Sequence, residues 1–169
     1  MKKLMVILSF LFLLTLCGCS PPKENGISPD TSCPAETDTT DGTGERIMTD
    51  YYSLTLPSQW LDRCAWVITR KDDGTDILKL YEKTAYEETG AGKLCSLMLF
   101  TDTAYKELPD YQLLGTLDTR EGAFCLVAVF PTDVQFTNET MDAYNGLYEE
   151  LPAVLDTLCP REGIGMDSH

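Results

Sequence analysis

Two near-continuous apolar runs, LCSLMLF at 94–100 and AFCLVAVF at 123–130, constrain this chain more than any other feature. Each has strand length, and each is apolar at successive positions, so that both of its faces ask for cover. They are therefore expected at the centre of a β-sheet. The weaker patterns fall around them. YSLTL at 52–56 alternates and stops at Pro57, as a strand does. Residues 64–70 and 77–82 flank Lys71-Asp72-Asp73-Gly74-Thr75, where Asp-Gly supplies the turn of a hairpin. Residues 111–117 read as a strand between the two central ones, 84–89 as a short helix ended by Gly90, and 103–108 as a helical turn. Near the end, Met141, Tyr144, Tyr148, Leu151, Leu155 and Leu158 recur every three or four residues, with Leu147 and Val154 widening the stripe. That is an amphipathic helix with its apolar face expected against the sheet. Pro152 is expected to kink or split it, having no N–H to donate. The expected fold is α+β: a single, mainly antiparallel sheet of about six strands with helical cover and a C-terminal amphipathic helix.

The start of the chain carries a different signal. Met1-Lys2-Lys3 precedes an uncharged stretch from 4 to 16, then Cys17-Gly18-Cys19-Ser20. This is the pattern of a secretory leader. As a helix it would be about 20 Å long, against about 30 Å for a hydrocarbon core, so it is expected to be cut rather than to span. Leu16-Cys17-Gly18-Cys19 resembles the bacterial lipobox: an aliphatic residue at minus three, a small one at minus one, then the cysteine. The resemblance implies a thioether-linked diacylglycerol on Cys19, which becomes the first residue of the mature protein. An ordinary cleavage near Ser20 is the alternative. Two acyl chains suffice for stable anchoring. The expected location is extracytoplasmic, lipid-anchored to the bacterial cell membrane.

Residues 19–45 hold Ile27 as their single large aliphatic side chain and are otherwise rich in Pro, Ser, Thr, Asp, Glu and Gly. Such a segment buries too little to fold. It is expected to be an acidic tether with an end-to-end distance on the order of 30 Å. The organisation expected is then leader 1–18, tether 19–45, α+β domain 46–160 and disordered tail 161–169. The chain's formal net charge is −14, and loss of Lys2 and Lys3 deepens it. Phosphate backbones and anionic head groups are repelled, so nucleic acid is excluded as a partner and the lipid must hold the protein unaided.

Of seven cysteines, Cys17 leaves with the leader, Cys19 is acylated and Cys33 sits in the tether. Cys95 and Cys125, within the two apolar runs, read as buried thiols. Cys64 and Cys159 lie at element ends and are the pair to be bridged in an oxidising compartment. No spacing resembles CxxC, so zinc and redox readings have no support.

At the opening strand, YSLTLPSQW (52–60) resembles the start of Mog1/PsbP-like domains, where an aliphatic strand is followed by Pro and then Trp. The resemblance implies a sandwich of helices around the sheet and, as a role, an accessory subunit of an envelope complex. FPTDVQF (130–136) resembles a phrase of uncharacterised lipoproteins from anaerobic bacteria and implies location alone.

Catalytic patterns are scarce. The single histidine is His169, at the end of the chain, so Ser/His/Asp or Cys/His nucleophilic sites and zinc hydrolase sites lack their imidazole. Asp72/Asp73, Glu87/Glu88 and Glu149/Glu150 are adjacent carboxylates, but neighbours on a strand face opposite ways and on a helix diverge by about 100°. They read as solvated surface. The acidic 71–75 turn lacks EF-hand spacing, and Thr89-Gly90-Ala91-Gly92 is too short to cradle a phosphate. Asn138-Glu139-Thr140 reads as a helix start with Thr137 or Asn138 as N-cap. No cofactor is expected.

Amphipathic aromatics remain: Tyr51, Tyr52, Trp60, Trp66, Tyr105 and Tyr111 stand near strand ends and loops, where they either fill a small core or form an interface. A site, if formed, is expected where Trp60, Asp62, Tyr105, Asp133 and Gln135 converge. The leading expectation is a non-enzymatic, membrane-anchored surface lipoprotein whose domain binds a protein or small ligand. The alternatives are an extracytoplasmic hydrolase using carboxylates, or an envelope-complex subunit.

Overall fold

A computed structural model describes residues 44–168. The leader, Cys19 and nearly all of the expected tether lie outside the described residues. The mixed α+β class is as expected, but nine strands form two antiparallel sheets among the described residues. β3 (Cys64–Arg70), β4 (Asp76–Glu82), β5 (Lys93–Phe100), β6 (Tyr111–Thr119), β7 (Gly122–Val129) and β9 (Gly165–Ser168) form the larger sheet, in the order β3-β4-β5-β7-β6-β9. The two apolar runs, β5 and β7, pair with one another at its middle. β1 (Glu45–Met48), β2 (Tyr52–Leu56) and β8 (Cys159–Pro160) form the smaller sheet around β2.

The single expected sheet is thus corrected to two, and the cause is local. Pro57 ends β2 and caps a 3-10 turn at Ser58–Trp60, where the Trp60 N–H donates to the Pro57 carbonyl at 2.8 Å. That turn carries the chain away before β3 begins. β2 instead pairs with β1, across the turn just before it, and with β8 near the end of the chain.

The hairpin between β3 and β4 closes as expected. Lys71 N–H donates to the Thr75 carbonyl at 2.8 Å, Gly74 takes φ +83°, and the Asp73 carboxylate accepts from the Thr75 N–H and hydroxyl at 2.9 and 2.6 Å. Those hydrogen bonds, with Lys71 beside them, pull the Asp73 carboxyl down to about 2. α1 (Lys83–Thr89) is capped by the buried Glu82 carboxylate, which accepts from the Thr84 and Ala85 N–H groups, and Gly90 ends it in the left-handed conformation.

α2 (Met141–Leu155) packs on β2, β4 and β5 and so bridges both sheets. Tyr144, Leu147, Leu151, Val154 and Leu155 enter one core with Leu54, Leu56, Leu80, Leu97 and Leu126. The expected break at Pro152 does not occur. Pro152 sits in the last turn at an exposed position, where a missing N–H removes a single helical bond and its ring meets solvent instead of the core. The N-cap is Thr140 rather than Thr137 or Asn138; its hydroxyl accepts from the Thr137 N–H at 3.0 Å and holds the preceding turn.

The expected disordered tail is also corrected. β9 adds to the sheet edge, with Met166 opposite Leu117. The enabling residue is Gly115: a Cβ there would lie 2.8 Å from the Asp167 carbonyl oxygen, so a larger residue would hold β9 off.

Cys159 is disulfide-bonded, whereas Cys64 is a free, buried thiol. The expected Cys64–Cys159 bridge is therefore overturned. Cys64 sits inside the core on β3, and burial pushes its thiol up to about 12. Cys95 is free and fully buried as expected, while Cys125 is only half-buried.

Candidate functional site

The five residues expected to converge are dispersed. Trp60 is buried in the core, where its indole N–H donates to Glu150 Oε2 at 2.7 Å. Asp62 lies exposed just after it. Tyr105 covers the opposite face of the larger sheet: it packs on Phe100 at 5.9 Å and edge-on to Tyr111 at 5.4 Å, and Phe100 alternates with the core residue Leu99. Among the five, Asp133 and Gln135 alone are joined by a hydrogen bond, from Gln135 Nε2 to Asp133 Oδ1 at 2.7 Å.

Gln135 is a clamp. Its side-chain oxygen accepts from the Lys93 N–H at 3.2 Å and its backbone carbonyl from the Gly92 N–H at 2.8 Å, tying the segment before α2 to the start of β5. Gly92 takes φ +82°, and its missing Cβ would stand 2.7 Å from the Glu82 carbonyl oxygen, so the close approach needs glycine.

This clamp positions an aromatic ladder that sequence reading did not assemble. Phe136 packs on Tyr144 at 5.2 Å, Tyr144 stacks on Tyr148 at 5.9 Å with 16° between planes, and Tyr148 meets Phe130 edge-on at 6.2 Å. The inner end is fixed by the Tyr144 hydroxyl, which donates to the Lys93 carbonyl at 3.0 Å. Burial, then neighbouring Tyr148, Cys95 and Asp133, push Tyr144 up to about 12. The outer end is open: Tyr148 is 41 % exposed and Met141, on the same helix stripe, 39 %. The periodicity of Met141, Tyr144 and Tyr148 was visible in sequence, but the buried stripe is centred on Leu151 and extends to Leu147 and Val154, which leaves Met141 and Tyr148 on its opposite rim.

Two carboxylates stand beside the ladder. Asp133 stands at the clamp, and Asp110 stands near Phe130, whose N–H donates to the Asp110 carbonyl at 3.1 Å. Asp142 and Glu149 are exposed on α2 but stand about 100–120° around the helix from Tyr148. Burial and Asp110 raise Tyr148 above the ordinary phenol range.

The buried carboxylates elsewhere do not form an acid–base pair. Asp76 bonds Arg70 at 3.1 Å and Glu82 caps α1; they end β4 at opposite termini, about 20 Å apart, whereas glycosidase pairs stand about 5 to 10 Å apart. No group of three or more His, Cys, Asp or Glu among the described residues is placed to hold a metal ion. A cleft of about 150 Å³ between the end of α2 and β6–β9 is smaller than the several hundred Å³ of a typical small-molecule site. No described helix is long and apolar enough to cross a membrane.

No family model, curated protein or solved structure matches this chain.

Proposed function

We propose that this protein is a lipid-anchored, extracytoplasmic binding module: Cys19 holds it to the cell membrane, the segment after it spaces the domain outward, and the ladder on α2 receives a protein partner. The observation that carries the binding part is the ladder, whose inner rings are fixed by hydrogen bonds and packing while Tyr148 stays open. A rigid aromatic surface of this kind presents contact area at little entropic cost. The disulfide at Cys159 supports an oxidising compartment. The role is non-enzymatic. The likeness of 52–60 to Mog1/PsbP-like domains supports, as part of the same proposal, an accessory place in an envelope complex.

The anchor is tested by detergent-phase partitioning of protein from intact cells. The native chain is expected in the detergent phase, and Cys19→Ser in the aqueous phase. Native protein recovered from the aqueous phase would overturn the reading.

A further inference from the structure

We propose that the exposed side of the aromatic ladder, centred on Tyr148, docks a lysine- or arginine-bearing segment of a protein partner. This rests on the binding-module reading above and names the chemistry that the module recognises.

Two observations converge on a cationic occupant. Of the five large hydrophobic side chains exposed among the described residues, Met141 and Tyr148 lie on this stripe, and Val134 on the loop that feeds it. That concentration marks the strip as a contact surface. Its rim carries two exposed carboxylates, Asp110 beside Phe130 and Tyr148 and Asp133 at the Gln135 clamp.

Ring faces and carboxylates together match an ammonium or guanidinium group, which gains from the ring quadrupole and the carboxylates at once. An anionic partner meets repulsion at the same place. The shape selects a segment over a free small ion. From Met141 to Tyr148 the strip runs about 10 Å along the helix and is open to solvent, where a small ion would lose little water and a side chain carried on a peptide adds apolar contact.

The test uses the full chain in a non-ionic detergent, titrated by calorimetry with a lysine-rich decapeptide, its norleucine counterpart, and methylammonium. The lysine peptide is expected to bind. Tyr148→Leu, which keeps bulk and removes the π face, is expected to weaken it about tenfold, and Asp110→Asn with Asp133→Asn about threefold. Asp72→Asn with Asp73→Asn, in the distant hairpin turn, should leave binding unchanged, and circular dichroism verifies that each variant folds. The proposal is overturned if the lysine peptide does not bind, if Tyr148→Leu binds it as the native chain does, if the norleucine peptide binds equally, or if methylammonium displaces it at equal concentration. A chain that partitions into detergent yet fails here refutes the docking chemistry and leaves the anchor standing.

Discussion

The indole N–H of Trp60 donates to Glu150 Oε2 at 2.7 Å, joining the turn after β2 to the exposed flank of α2 through a ring that is itself wholly buried. Arg63 reaches the other oxygen of the same carboxylate at 3.4 Å. Glu150→Ala leaves a buried donor unpaired and is expected to cost about 1–3 kcal/mol. Glu150→Gln, which keeps an acceptor, costs less, and Arg63→Ala about 1 kcal/mol or less, because the ion pair is half-exposed. Urea denaturation followed by tryptophan fluorescence measures all three.

Glycine substitutions separate close approach from plain conformational strain. Gly92→Ala places a methyl group against the Glu82 backbone at positive φ and is expected to cost about 1–3 kcal/mol, with the Gln135 clamp loosened. Gly74→Ala, also at positive φ but with open space around it, is expected to cost about 1 kcal/mol. Equal losses in thermal melts would contradict the close-packing claim for Gly92.

Much of the fold was legible because it is local. The Asp-Gly turn, the Gly90 stop and the apolar runs each carry their signal within a few residues. The smaller sheet is local only in its β1–β2 hairpin; β1 and the two-residue β8 are too short to announce themselves, and β8 reaches β2 from the far end of the domain. β9, with Gly165, Asp167 and Ser168 in it, shows no strand pattern; it is held by backbone pairing to β6 at Gly115. The site was less legible than the fold. Tyr144 and Tyr148 were visible as a helical stripe, but that Phe130 and Phe136 meet them is tertiary information. Trp60 and Tyr105 were expected to share a site, yet they serve opposite faces of a sheet.

Stability is expected to fall in alkali. Burial raises Cys64 and Cys95 from an ordinary 9.0 to about 12, and Tyr144 from 10.0 to about 12. Because the folded values lie above the unfolded ones, their stabilising contribution is complete below pH 9 and is lost as pH rises from 9 towards 12. Denaturation midpoints across that range, with Tyr144→Phe for comparison, check it. The variant should show a shallower alkaline decline.

The Tyr52 hydroxyl is buried and has no hydrogen-bond partner among the described residues. Tyr52→Phe removes a desolvated polar group without emptying the ring's place. It is expected to leave stability unchanged or raise it by about 1 kcal/mol. A loss of more than that in urea denaturation would mean that the hydroxyl is bonded.

Cys19 is proposed to fix this domain to a membrane as a presenting surface. Intact mass of the protein extracted from its own cells tests it most directly. The predicted result is a chain lacking residues 1–18 and carrying diacylglycerol on Cys19, a mass that shifts to an unmodified chain in Cys19→Ser. A native protein that retains its first 18 residues, or that begins elsewhere and bears no lipid, would contradict it.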